Sequence, residues 1–203
     1  MSMADLVADL KASVHDAASS FKSADDWPRL LRTAALAMVC KRPRTLLGSL
    51  TLTAGVDAYL LPTELQASFA RYKTHAWASG SIKPWCPGYP GAVPRVSVEG
   101  QAGSWQLVFD PAPTAAQIAA WGSSFRFWYF GAHVLADDAA QTTLAATDRG
   151  LLLLRAQAEA MRELAMNGVN KAVQMRDGFS GATRNSTPAA LFEVLLREWE
   201  AAS

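Results

Sequence analysis

Between residues 41 and 65 the periodicity of the chain changes, and that change limits what the chain can fold into. Upstream, apolar residues recur at helical spacing. Inside the stretch they alternate: Leu46, Leu50, Leu52 and Ala54 share one parity, with Thr51 and Thr53 between them. Alternation rich in Thr and Leu, closed by Ala54-Gly55-Val56-Asp57, is the pattern of a strand entering a turn. Ala58-Tyr59-Leu60-Leu61 then reads as the returning strand, and Pro62-Thr63-Glu64 stops the pairing. The expectation is a junction between a helical body and a β-hairpin. The stretch holds no catalytic or metal-binding candidate, so its role is to fix the angle between the two.

Helices flank this junction. Leu6, Val7, Leu10, Val14, Ala17 and Ala18 recur at three- and four-residue steps with charges between them, an amphipathic helix. Ser23, Asp25 and Asp26 supply caps for a second, carrying Trp27, Leu30, Leu31, Ala34, Ala35, Met38 and Val39 along one face. Pro43 ends it, because the residue before a proline is pushed out of the α region. Downstream, Thr63 opens a short helix with Leu65, Phe69 and Tyr72 on one side.

Residues 79–95 contain four prolines and three glycines, which excludes a helix or a central strand there. Residues 93–98 and 104–109 alternate around a Gly-containing turn, a second hairpin. Thr114 to Trp121 reads as a helical turn. In Phe125-Arg126-Phe127-Trp128-Tyr129-Phe130, a strand puts Phe125, Phe127 and Tyr129 on one face and Arg126, Trp128 and Phe130 on the other. The clearest helix runs from about Asp148 to Asn167-Gly168. Leu151, Leu154, Ala158, Met161 and Ala165 form its buried stripe, widened by Leu152 and Leu164, with Arg149, Arg155, Glu159, Arg162 and Glu163 toward water. A polar, Gly/Ser-rich segment follows, then a helix opened by Thr187-Pro188.

The expected fold is mainly α with a smaller antiparallel β part: a helical bundle with a β-hairpin insertion and an extended C-terminal arm ending in a helix. One body spans 1–168, a flexible linker 169–186, and a docking helix 187–203. Half of the residues are apolar and 18% are charged, enough to build a core. The formal net charge of +1 points to no class of partner. Two distant cysteines, Cys40 and Cys86, indicate no disulfide framework and fit a reducing cytoplasm. The charged N-terminal residues exclude a signal peptide, and no apolar run is long enough to span a bilayer.

The sequence offers few candidates for chemistry. Gly178-Phe179-Ser180-Gly181-Ala182 approximates a nucleophile elbow with its first Gly misplaced; a flexible turn is the better reading. His15, His75 and His133 stand far apart, in no metal spacing. His133 with Asp137 and Asp138 can be drawn as a base and its orienting carboxylate, but surface loop residues fit better. Catalytic, metal and cofactor residues are therefore expected to be none. Between Glu64 and Glu99 lie Arg71, Lys73, Lys83 and Arg95 without an acid, interleaved with Trp85 and Tyr89. Such residues suit phosphate and base contacts, an acidic protein partner, or simply a solvated loop. The C-terminal helix is short and two-sided, with Leu191, Phe192, Leu195, Leu196 and Trp199 on its apolar side. Alone it is marginal in water, so it docks on its own chain or on a partner.

Taken in order, these pieces resemble the head–tail adaptor (connector) proteins of tailed bacteriophages. The carrying features are Arg42-Pro43 after an N-terminal helix, Tyr59-Leu60-Leu61-Pro62 and Leu107-Val108-Phe109-Asp110-Pro111-Ala112-Pro113. Phe127-Trp128-Tyr129-Phe130, the helix from Leu151 to Ala160 and the terminal helix on its arm complete them. The resemblance implies a non-enzymatic virion protein assembled in the host cytoplasm. It implies a ring, usually dodecameric, between the portal protein and a stopper or tail-completion protein, with no cofactor and no membrane. The terminal helix then supplies partner anchors Leu191, Phe192, Leu195, Leu196 and Trp199. Arg71, Lys73, Lys83, Trp85 and Arg95 become candidates for the DNA channel or a partner. Rival readings are a stopper or tail terminator, a nucleic-acid-binding module built on 71–95, and a small hydrolase using His133 or Ser180.

Overall fold

A computed structural model describes residues 1–77, 82–101, 103–168 and 187–202. Among them the order is α1 (Met3–Val14), α2 (Asp26–Ala37), β1 (Arg44–Thr51), β2 (Ala58–Leu60), α3 (Thr63–Gln66) and β3 (Phe69–His75). There follow β4 (Arg95–Glu99), β5 (Gln106–Asp110), α4 (Ala115–Trp121), β6 (Ser124–Gly131), α5 (Arg149–Gly168) and α6 (Pro188–Ala201). The chain divides into two compact units: residues 1–42 with 133–203, and residues 43–132. The linker expected at 169–186 lies outside the described residues, as does Ser180.

The helical unit forms for the reasons its sequence gives. Ser2 and Asp5 make a reciprocal capping box: Asp5 N donates to Ser2 Oγ at 3.2 Å and Ser2 N to Asp5 Oδ2 at 2.9 Å. Those bonds hold the Asp5 carboxyl below its ordinary range. Leu6, Leu10 and Val14 of α1 then meet Trp27, Leu30, Leu31, Ala34, Ala35 and Met38 from α2 and the turn after it. Leu152, Ala156, Ala160 and Met161 of α5 close this core. Of the expected stripe of α5, Leu152, Ala158 and Met161 are buried, whereas Leu151, Leu154, Leu164 and Ala165 are only partly so, and Ala156 and Ala160 join the buried line. Helix α5 packs against α1 and α2 and also against α6, so more of its circumference is covered than one stripe provides.

The expected mainly helical fold is wrong: the protein is mixed α and β, with six α-helices and two three-stranded antiparallel sheets among the described residues. What stands between α2 and α5 is a unit with its own core, where a hairpin was expected. Strands β1 and β2 do not pair with each other. β1 pairs with β6, Leu47 opposite Trp128 and Leu50 opposite Phe125, and β3 pairs with the other edge of β6. β2 joins β5 and β4 in the second sheet, where β4 and β5 make the hairpin read from residues 93–109. The alternation in β1 is as read, but a strand's pattern does not name its partner.

Phe69 and Tyr72 do not lie on a helix. Their three-residue spacing, read as helical, belongs to β3. Register shifts between Phe69 and Arg71 and between Tyr72 and Thr74 add residues to the strand. Each bulge resets which face a side chain takes, so Phe69 and Tyr72 both turn toward the core. The helix α3 ends earlier, at Gln66.

This second core is aromatic. Phe109, Phe125 and Phe127 are fully buried, joined by Trp77, Trp121, Phe69 and Tyr129. Phe109 meets Phe125 edge-on at 4.9 Å between centroids, and Trp77 meets Trp121 edge-on at 5.0 Å. Such pairs contribute roughly 0.5–1.5 kcal/mol beyond burial. Gly48 leaves room for Phe127: a Cβ there would stand 2.7 Å from Phe127 Cζ.

Candidate functional site

The candidate residues fall into two groups. The first is the apolar side of α6, which lies on α5 of its own chain. Phe192 and Leu195 pack against the helical core, Trp199 is buried, and Leu196 is half-buried. Leu191 stays exposed, beside a cleft of about 320 Å³ lined also by Val14, Met161 and Leu195. The intrachain docking that the sequence left open is therefore the arrangement seen.

Around Trp199 the contact is polar as well. The Arg155 guanidinium lies 4.9 Å from the indole centroid and Lys41 Nζ 5.3 Å. Lys41 Nζ also donates to the carbonyls of Glu200 at 2.5 Å and Ala202 at 2.7 Å, capping the last turn of α6. Beneath sits Glu159, only 1% exposed, against the expectation that it faces water. Arg155 reaches its Oε1 at 2.6 Å and Arg162 its Oε2 at 2.8 Å. A carboxylate so buried is tolerable only with such partners. Sequence reading missed it because a charge in a helix normally marks the solvent side; its i−4 and i+3 arginines were the available signal.

The second group does not hold together as the sequence grouped it. Arg71 and Lys73 lie on β3, in the first sheet, while Arg95 opens β4 in the second. Lys83 and Trp85 sit in the Pro-rich loop, with Trp85 79% exposed. Gln117, buried on α4, ties that loop down by donating to the Ala92 carbonyl at 2.7 Å. What does assemble is the outward face of the first sheet. Register puts Thr45, Phe130 and Arg71 in one row, Leu47, Trp128 and Thr74 in the next, and Ser49 and Arg126 in a third. Arg71 and Lys73 lie 4.9 and 5.2 Å from the Phe130 centroid. Lys73 Nζ is 3.5 Å from Thr45 Oγ1. Sequence had placed Arg126, Trp128 and Phe130 on one face of β6 without connecting that face to Arg71 and Lys73.

Among the described residues, His133 is not joined to Asp137 or Asp138 by a hydrogen bond. His133 Nε2 is 2.6 Å from the Arg42 carbonyl and its Nδ1 is 3.4 Å from Thr143 Oγ1. Asp138 accepts from the Ala140 amide in its own turn. His75 lies 5.6 Å from the Phe125 ring, and burial lowers its pKa. Burial alone pushes the Tyr72 hydroxyl up to about 12. Among the described residues no three His, Cys, Asp or Glu side chains gather as a metal site, and no helix is long and apolar enough to cross a membrane. Comparison of the sequence with known protein families and with curated proteins gives no match.

Proposed function

We propose that the protein is a structural subunit of a tailed-phage particle, a head–tail adaptor that joins the portal to the tail as a ring. The observation that carries this reading is the element order. Two N-terminal helices step through Arg42-Pro43 into a β-containing insertion, and a long helix and a terminal amphipathic helix follow. The work is geometric: each subunit buries apolar surface against the portal and offers loops to a stopper or tail-completion protein. A ring of identical copies is a heterologous contact whose rotation closes, and a dodecamer is the copy number this reading carries. Apolar anchors supply affinity and charged rims supply register.

In this reading α6 is the portal-facing element, with Leu191, Phe192, Leu195, Leu196 and Trp199 as its anchors. The exposed edge of Leu191 and Val194 makes first contact. Phe192, Leu195 and Trp199 then exchange the α5 surface for a comparable portal groove, a swap that changes little net burial. Arg71, Lys73, Lys83, Trp85 and Arg95 are the residues available to DNA passing through the ring or to the neighbouring protein. The subunit performs no chemical step and holds no cofactor, and its place is the head–tail interface of the virion.

The test is association with a purified portal ring, read by native mass spectrometry. Removing residues 187–203 is expected to abolish it. Because α6 covers part of α5, the double change Leu191→Glu and Val194→Glu on the exposed edge is the companion, expected to weaken association while the far-ultraviolet spectrum stays unchanged. Undiminished association of both variants would sink the reading.

A further inference from the structure

The outward face of the sheet β1-β6-β3 has a composition that its fold does not require. Its three rows carry the cations Arg71 and Arg126 and the hydroxyls of Thr45, Ser49 and Thr74, and Lys73, exposed at the bulge between Tyr72 and Thr74, brings a third cation to Phe130. None of the three strands contains an Asp or Glu. At the centre Leu47 and Trp128 stand opposite each other, each 38% exposed. Every polar side chain on this face can donate a hydrogen bond, and the cations bring no acid with them.

We infer that this face binds single-stranded nucleic acid. The ligand must be a polyanion, since the face presents cations and hydroxyl donors without a carboxylate, the side-chain types that contact phosphate. It must also offer flat apolar faces, since an indole and a Leu occupy the centre and an Arg lies over Phe130. Exposed bases on a phosphate backbone supply both, and stacking on an aromatic sheet surface is sequence-tolerant. Alternate residues on a strand are about 7 Å apart, so Trp128 and the Arg71–Phe130 pair form two platforms for successive bases. Duplex DNA hides its base faces and would leave Trp128 unused. An acidic peptide matches the cations but has no stacking planes. The inference does not depend on the adaptor reading: that reading rests on portal contact through α6, and Arg71 and Lys73 take no part in that contact.

The experiment is fluorescence anisotropy of a labelled oligo-dT with the full chain, titrated at several salt concentrations. Binding is expected at low salt, with log K falling against log salt at a slope of about −2 for three phosphate contacts. Trp128→Ala should weaken it roughly 5- to 150-fold, and Trp128→Phe should restore most of the loss. Arg126→Ala should reduce the slope by about 0.7. Arg95→Ala, in the other sheet, should leave both unchanged. Thermal melts of each variant separate lost binding from lost fold. The inference is overturned if oligo-dT does not bind at low salt, or if Trp128→Ala binds as the parent does. It is equally overturned if duplex DNA or polyglutamate displaces oligo-dT at equal charge concentration. Failure of portal association leaves this result untouched, and failure of oligo-dT binding leaves the adaptor reading untouched.

Discussion

The helical unit and the β unit solve the same packing problem with different side chains. In the first, Leu, Ala and Met fill the space between helices, and charged residues lock the edges: Arg149 with Asp9, Arg29 with Glu163, Arg155 and Arg162 with Glu159. In the second, rings fill the core, and among the described residues the ion pairs all fall outside it. Its outward cations Arg71 and Lys73 rest on the Phe130 ring instead. The difference follows from geometry. Three- and four-residue neighbours on helices bring opposite charges together readily, whereas a small sheet must reach across its core with large flat groups. The contrast teaches where each unit is vulnerable: the first to loss of a charge, the second to loss of a ring.

The largest effect should come from Phe125→Ala. Phe125 is fully buried and touches the rings of Phe109, Phe127, Trp77 and His75, so the change should cost about 3–5 kcal/mol. Urea unfolding followed by near-ultraviolet circular dichroism should show the aromatic signal lost early while helical ellipticity persists. A single shifted transition for both signals would break the contrast. Next is Glu159→Ala, which leaves two arginines without their carboxylate, one of them largely buried. It should cost about 2–3 kcal/mol, read in the helical transition alone.

Gly100→Ala tests the β4–β5 turn. Gly100 has φ +104°, and an added Cβ would collide with the Ser104 carbonyl oxygen. The expected cost is about 1–3 kcal/mol, confined to the β unit's transition. The smallest effect is a pH dependence. His75 is lowered by burial, so between its folded value and the ordinary unfolded value of about 6.5 the unfolded chain binds more protons. Stability of the β unit should therefore fall as pH drops below about 6.5. His75→Phe should flatten that part of the profile, and an unchanged slope would remove His75 as its source.

What could be read from sequence was local. Leu6, Leu10 and Val14, and Trp27 through Ala35, declare their helices because the partners of a helical face lie within a few residues. The two faces of β6 were equally plain. The partner of β1 was not, because β6 lies most of the inserted unit away and pairing leaves no mark on either strand alone. The bulge between Phe69 and Arg71 imitated a helical period, which no inspection of Phe69 and Tyr72 alone could undo. The same limit governed the candidate site. Arg71 was grouped with its sequence neighbours Lys83 and Arg95, while register brings it beside Phe130 and close to Trp128. Glu159 was misread because α5 is covered by α6 as well as by α1 and α2, so a charge on it need not face water.

The pairing of β1 with β6 has one more consequence. Arg44 stands opposite Gly131, so the β unit's two ends emerge about 5 Å apart. The helical unit holds its own two ends together in the same way, with His133 Nε2 2.6 Å from the Arg42 carbonyl. To the helices, the whole insertion is thus equivalent to a short connection whose closure entropy is already met by the strands. Exchanging it for a tight turn, or for another module with adjacent ends, should then leave the topology of the helical host intact, which far-ultraviolet circular dichroism of the shortened chain would check. Such a joint lets one conserve a mounting while varying what it carries.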